Sequence, residues 1–136
     1  MIEKSDSTLF INSETDIVGV RRTVRLAAEN MEFGITDITR IVTAASELSR
    51  NISLYAGSGT VRLIQIEDNG KKGLELKFED EGPGIADLDI ALAGGHSTSG
   101  GLGMGIPGTK RLMDEMIIET CPGQGTTIII RKWLKK

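Results

Sequence analysis

The 136 residues include one cysteine, one histidine, one tryptophan and one tyrosine, with three prolines and three phenylalanines. A lone Cys121 excludes an internal disulfide and leaves a reducing cytoplasm as the simplest home. With His96 as the single histidine, a His/Cys zinc site is not expected, nor is a Ser-His-Asp triad alongside a second, independent histidine function. Excess basic charge is missing as well: 16 Lys and Arg face 19 Asp and Glu, a formal charge of −3. Nucleic acid is therefore a poor fit as a partner. No apolar run is long enough to span a bilayer. The opening Met1-Ile2-Glu3-Lys4-Ser5-Asp6-Ser7-Thr8 has no apolar centre of a signal peptide. At 39% hydrophobic and 26% charged, the chain reads as one soluble globular domain, 1–136, around a single core.

Glycine is what the sequence has in excess. It supplies 17 of the 136 residues, and eleven of these lie between Gly82 and Gly125, against a usual share of about 7%. The second half needs bare backbone.

Periodicity places the elements. Thr8–Ser13 alternates weakly as a first strand. Thr15 or Asp16 can cap a helix carrying Ile17, Val20, Val24, Ala27, Ala28 and Met31 on one face, with Gly34 to end it. Thr36 or Asp37 can cap a second, whose stripe is Ile38, Ile41, Val42, Ala45, Leu48, Ile52 and Tyr55. Thr60–Glu67 and Gly73–Glu79 read as strands joined by a hairpin loop at Asp68–Lys72. A short helix is expected over Asp87–Ala93 and a mobile loop over Gly94–Gly105. Pro107 suits the first turn of a third helix ending near Met113–Glu115. Met116–Cys121 and Thr126–Trp133 are strands joined by Pro122-Gly123-Gln124-Gly125. This order predicts an α/β two-layer sandwich, a mixed or antiparallel sheet with helices on one face. Phe10, Phe33, Phe78, Trp133 and Cys121 are core candidates, whereas Lys110, Arg111, Arg131, Lys132, Lys135 and Lys136 are expected to be solvated.

Three places carry chemistry. Glu47 and Asn51 lie four apart at the border of the second helix's buried face. An amide oxygen suits Mg²⁺, and a carboxylate one turn away can accept a hydroxyl proton. Alone, the pair is an ordinary polar flank. Asp80-Glu81-Gly82-Pro83-Gly84 follows a strand directly; its carboxylate can accept from an exocyclic amine such as that of adenine, and its glycines let backbone approach a flat ring. Ser97-Thr98-Ser99-Gly100-Gly101-Leu102-Gly103-Met104-Gly105 leads into a helix, where bare N–H groups form an anion cradle. Its interleaved Leu102, Met104 and Ile106 set it apart from a linker. Gly103–Gly108 matches G-x-G-x-x-G but lacks the preceding strand of a dinucleotide fold, and Thr109-Lys110 reverses the order a P-loop requires.

The order of these boxes is more telling than any one of them. Glu47-Leu48-Ser49-Arg50-Asn51, Asp80-Glu81-Gly82-Pro83-Gly84, Gly101-Leu102-Gly103-Met104-Gly105 and Gly123-Gln124-Gly125-Thr126 together resemble the GHKL ATP-binding family. Ser46–Asn51, Leu54–Gly57, Ser97–Gly103 and Lys110–Glu115 are similar to the RsbT-type switch kinases among the anti-sigma serine/threonine kinases. The resemblance covers essentially the whole chain and implies a Bergerat fold binding ATP or ADP with Mg²⁺. It implies Glu47 as general base and Asn51 as the metal ligand. Asp80 would hold the adenine amine, supported by Thr126, with Gly82 and Gly84 shaping the pocket. Ser97, Thr98, Gly100, Gly101, Leu102, Gly103, Met104 and Gly105 would line the phosphates. The implied reaction is phosphorylation of a Ser or Thr on a STAS-domain protein, with a phosphatase or other effector as a second partner. The alternative is a nucleotide-gated binding module that sequesters a sigma factor or activates a phosphatase.

Overall fold

A computed structural model describes residues 1–82 and 105–135. Among these residues, five strands and three α-helices are arranged as β1 (Ile2–Ile11), α1 (Asp16–Asn30), α2 (Ile35–Asn51), β2 (Gly59–Asp68), β3 (Lys71–Asp80), α3 (Gly105–Leu112), β4 (Glu115–Cys121) and β5 (Gly125–Trp133). The sheet order is β1-β2-β3-β5-β4, and every neighbouring pair is antiparallel. The expected short helix over 87–93 and the glycine-rich loop lie outside the described residues.

The register sorts each strand's side chains between two faces. Leu9, Val61, Phe78 and Ile128 stand in one row across the sheet, and Leu63, Leu76 and Ile130 in the next. These rows pack with Val20, Val24 and Ala28 of α1 and Ile41, Ala45 and Leu48 of α2 to form the core. The helices thus cover one face only, and the two-layer sandwich holds with an entirely antiparallel sheet.

The other face is held by charge. Arg131 donates from Nε to Glu75 at 2.7 Å and from Nη1 to Glu115 at 3.0 Å, and the Trp133 indole N–H donates to Glu115. Trp133 lies against Gly73, with Lys71 5.5 Å from its ring centroid. Near the first edge strand Arg62 bridges to Asp6 on this face, while Lys4 bridges to Glu67 at 2.7 Å on the helix side of the strand end. These partners hold Glu115, Asp6 and Glu67 below their ordinary carboxylate values. Arg131 and Lys132 are therefore not solvated as expected: Arg131 is bound by two carboxylates and Lys132 is buried on the helix side.

Several boundaries moved for local reasons. β1 begins at Ile2 and ends before Ser13, because pairing with β2 recruits Ile2 and the polar residues 3–7 that pattern alone leaves out. α1 stops before Gly34 in a Schellman turn: Phe33 N–H reaches Ala28 C=O at 3.1 Å and Glu32 N–H reaches Glu29 C=O at 2.9 Å, with Glu32 at φ 66°. The N-cap of α2 is Gly34, not Thr36 or Asp37. Asn69 (φ 53°) and Gly70 (φ 80°) close β2 onto β3 as the expected hairpin. Phe10 and Cys121 are exposed, not in the core, since their strand positions face away from the helices. Among the described residues no helix is long and apolar enough to cross a membrane.

Candidate functional site

Asp80 ends β3, opposite Gly59 of β2 and Thr126 of β5, on the helix-facing side of the sheet. Its Oδ1 accepts the Gly82 N–H at 2.9 Å, which turns the chain immediately after the strand. Oδ2 has no partner among the described residues, so one carboxylate oxygen remains free to accept. Two glycines make the surrounding contacts. A β-carbon on Gly82 would lie 2.6 Å from Cβ of Ala56, and one on Gly125 would overlap the Asp80 carbonyl oxygen and sit 2.9 Å from Cα of Glu81. Gly125 also adopts φ 114°, which L side chains rarely tolerate. The end of β3, the segment after α2 and the β4–β5 hairpin thus meet backbone to backbone around Asp80. Gly82, expected to shape an adenine pocket, packs on Ala56 and next to the Asp80 carboxylate.

Thr126 is buried, and its hydroxyl lies 3.0 Å from that of Thr120, its cross-strand neighbour on β4. Thr120 also donates to the Gly125 carbonyl at 3.3 Å. The pair fixes a hydroxyl beside Asp80. Thr120 went unnoticed in the sequence, although counting outward from the Pro122–Gly125 turn pairs it with Thr126.

Glu47 and Asn51 share one half-buried face of α2, and neither side chain has a hydrogen bond or ion pair among the described residues. Beyond Asn51 the helix widens into a π-turn, Ile52–Ala56, closed by the Gly57 N–H on Ile52 C=O at 2.9 Å. The sequence pattern missed this turn because it reads as continued helix up to Gly57. Such turns recur at functional sites because they redirect a helix end. Here the turn brings Ala56 onto Gly82 and Ile52 onto Gly59, whose β-carbon would lie 2.8 Å from Ile52 Cγ2. Asn51 is thereby held at the same end of the sheet as Asp80.

The third helix completes this end. It packs against α2 and begins at Gly105, in a left-handed conformation with φ 53°. Buried Thr109 donates its hydroxyl back to Gly105 C=O at 2.9 Å. At the far end, Lys132 ties Leu112 C=O (2.8 Å) to the neighbourhood of Asp37 in the first turn of α2 (3.7 Å). The end of α3 lies at the start of α2, so the helices run antiparallel. Eight residues at a rise of 1.5 Å span about 12 Å. The first turn of α3, with its unpaired N–H groups, therefore lies alongside the middle of α2 and faces toward the end that carries Glu47 and Asn51.

These residues fit a Mg-nucleotide by their donor set. A free carboxylate oxygen in a glycine-lined recess suits an amine on a flat ring, and helix-terminal N–H groups suit phosphate. Among the described residues no group of three His, Cys, Asp or Glu could hold a metal; Mg²⁺ carried on one amide oxygen, phosphates and water needs none. Gly84, Ser97, Thr98, Gly100, Gly101, Leu102, Gly103 and Met104, along with His96, lie outside the described residues.

Comparison with known proteins gives the same picture. The family described as histidine kinase-, DNA gyrase B-, and HSP90-like ATPase matches residues 36–136. The chain is 50% identical over 129 residues to the serine/threonine-protein kinase RsbT of Bacillus subtilis (strain 168), covering 95% of this chain and 97% of that one. It is 28% identical over 130 residues to an anti-sigma F factor of Thermoanaerobacter sp. (strain X514), covering 92% and 90%. A crystal structure of the RsbU and RsbW domains of a Mycobacterium tuberculosis protein shares the fold, with a TM-score of 0.66 at 16% identity over 98% of this chain and 33% of that one. The chain therefore belongs to the histidine kinase-, DNA gyrase B- and HSP90-like ATPase family, in the branch of the RsbT-type serine/threonine kinases.

Proposed function

We propose that this chain is a cytoplasmic, ATP-dependent protein serine/threonine kinase that phosphorylates a Ser or Thr of a STAS-domain partner and thereby changes which protein it binds. The observation that carries the reading is the pair Glu47 and Asn51, on one helix face with no side-chain partner among the described residues, at the Asp80 end of the sheet.

Asp80 accepts the adenine amine through the oxygen that Gly82 leaves free, with Thr126 supporting the contact, and Gly82 and Gly84 are assigned to shaping the ring pocket. The amides of Ser97–Gly105 and the first turn of α3 hold the phosphates. The Asn51 amide oxygen holds Mg²⁺. Bound Mg-ATP supplies the phosphoryl group and the cation that offsets its charge. The partner hydroxyl is positioned in line with that group, and Glu47 accepts its proton as the new O–P bond forms and the bond to the β-phosphate oxygen breaks. The products are ADP and a phosphorylated partner. The added charge of about −1.5 to −2 weakens the interface, which frees the kinase for a second partner such as a phosphatase.

The test is transfer of labelled γ-phosphate from ATP to a purified STAS partner in Mg²⁺ buffer. A labelled Ser or Thr that disappears with EDTA is expected. Tight nucleotide binding with no labelled partner would replace the kinase by a nucleotide-gated binding module. Absence of adenine-nucleotide binding at about millimolar ligand, near −4 kcal/mol, would remove both readings.

A further inference from the structure

β5 carries a lysine on the side of the sheet that faces the helices. Lys132 pairs across the strands with Leu74, stands on the same side as Ile128 and Ile130, and is 4% exposed. Burying an ammonium is costly unless acceptors and opposite charge surround it. Nζ donates to Leu112 C=O at 2.8 Å and lies 3.7 Å from carboxylate oxygens of both Asp37 and Asp114. Asp37 also takes Arg40 at 3.0 Å and has Lys135 at 3.9 Å, while Asp114 accepts the Trp133 backbone N–H at 2.8 Å. Leu112 ends α3, where carbonyls lack helical partners and the dipole favours a cation. Asp37 lies in the first turn of α2, where the dipole favours an anion. One buried cation thus joins β5, the start of α2 and the end of α3.

We propose that Lys132 is a positioning residue for the phosphate end of the site, setting the offset of α3 along α2. The proposal rests on the kinase reading above. Asp37, Ala44 and Asn51 fall at i, i+7 and i+14 on α2, and Glu47 lies one turn before Asn51, so the anchored end and the reactive end share one stripe. Sliding α3 along that stripe would change the distance of its first-turn amides from Glu47 and Asn51. Displacements of about 1 Å suffice to misalign reacting groups. An apolar side chain at 132 would bury as well without desolvating a charge, and replacing buried ions by hydrophobes is often neutral or stabilising. Directional bonding to a helix end is what the ammonium adds.

The adenine contacts lie on β3 and β5, whereas the phosphate contacts depend on α3, so the two halves of the ligand separate the roles. Lys132→Met keeps the stem and removes the charge. Affinities for adenosine and for a non-hydrolysable ATP analogue are measured by NMR titration and calorimetry, with thermal melts alongside. The expected result is unchanged adenosine affinity, a cooperative melt, and analogue affinity lower by about tenfold, the scale of one charge-assisted hydrogen bond. Partner phosphorylation falls with it. Asp37→Asn, which keeps the shape and one acceptor, is expected to lower the same ratio by about threefold and decides the matter if Lys132→Met fails to fold. An analogue-to-adenosine ratio unchanged in the folded variants overturns the positioning role while leaving the kinase intact. A wild-type protein that binds no adenine nucleotide overturns the kinase reading and this proposal together.

Discussion

Gly125 and Asp80 touch through their backbones: a β-carbon on Gly125 would lie 3.1 Å from the Asp80 carbonyl carbon, inside ordinary contact, at a backbone φ of 114°. Gly125→Ala is expected to destabilise the protein by about 2–4 kcal/mol, combining backbone strain with forced displacement. Gly123 is the control. It has φ 82° with open space where a β-carbon would go, so Gly123→Ala should cost about 1–2 kcal/mol from conformation alone. Urea denaturation of the two variants checks this, and equal losses would refute the packing account.

Asp80→Asn separates the turn from the ligand. An amide oxygen can still accept the Gly82 N–H, so the fold should keep its stability within about 1 kcal/mol. The outward-facing atom becomes an amide that can present donors where the adenine amine needs an acceptor. ADP affinity by calorimetry should fall at least about tenfold, the cost of one lost buried hydrogen bond. Wild-type affinity in the variant would remove Asp80 from the adenine contact.

Glu47→Gln keeps the size of the side chain and removes its basicity. Nucleotide affinity should remain within about threefold, since neutral hydrogen bonds are worth little net. Single-turnover phosphorylation of the partner should slow by about 10²–10⁴-fold. A wild-type rate in this variant would mean that Glu47 does not take the hydroxyl proton.

Acid stability should report the outer face. The Trp133 indole, and then Arg131, hold Glu115 below its ordinary value of 4.5. A carboxyl depressed in the folded state stabilises above its unfolded value, and that contribution is lost as pH falls through the folded one. Wild-type stability should therefore drop as pH falls below 4.5. Asp6 on the same face, held down by Arg62, and Glu67 at the end of β2, held down by Lys4, add to the same slope. In Trp133→Phe the largest cause acting on Glu115 is gone, so the variant should be less stable near neutrality and show a shallower acid slope. Urea midpoints measured from pH 3 to 6, a span bracketing the carboxyl range of about 4, would check this; parallel curves would contradict it.

What the sequence made legible was what depends on short-range order. The Asn69-Gly70 turn, the α2 stripe from Ile38 to Leu48 and the Gly123–Thr126 hairpin each follow from neighbours a few residues apart and stand where expected, whereas Tyr55, expected to continue the stripe, is exposed in the π-turn beyond it. Departures came from long-range partners. Lys132 looked solvated in a basic tail and is buried, because its acceptors come from other elements, on α2 and at the end of α3. Phe10 looked like core and is exposed, because register with Thr60 turns it outward. Glu32 occupies a left-handed position that composition would assign to Gly34. Of the proposed site, Glu47, Asn51, Asp80, Gly82, Gly105 and Thr126 gather at one end, while Ala56 and Thr120 support it without any local motif to announce them.

The strand order also sets a timetable for the growing chain. β5 lies between β3 and β4 although it is made after both. Until residues 125–133 leave the ribosome, β3 is an open edge with unpaired amides, and such edges invite wrong pairing. Asp80 and Thr126 are register partners separated by 46 positions (126 − 80), a loop closure that slows folding. A nascent chain could therefore hold α1, α2, β1, β2 and β3 in place and still lack the recess proposed for adenine. Recognition of nucleotide would arrive in one step, with the insertion of a single strand.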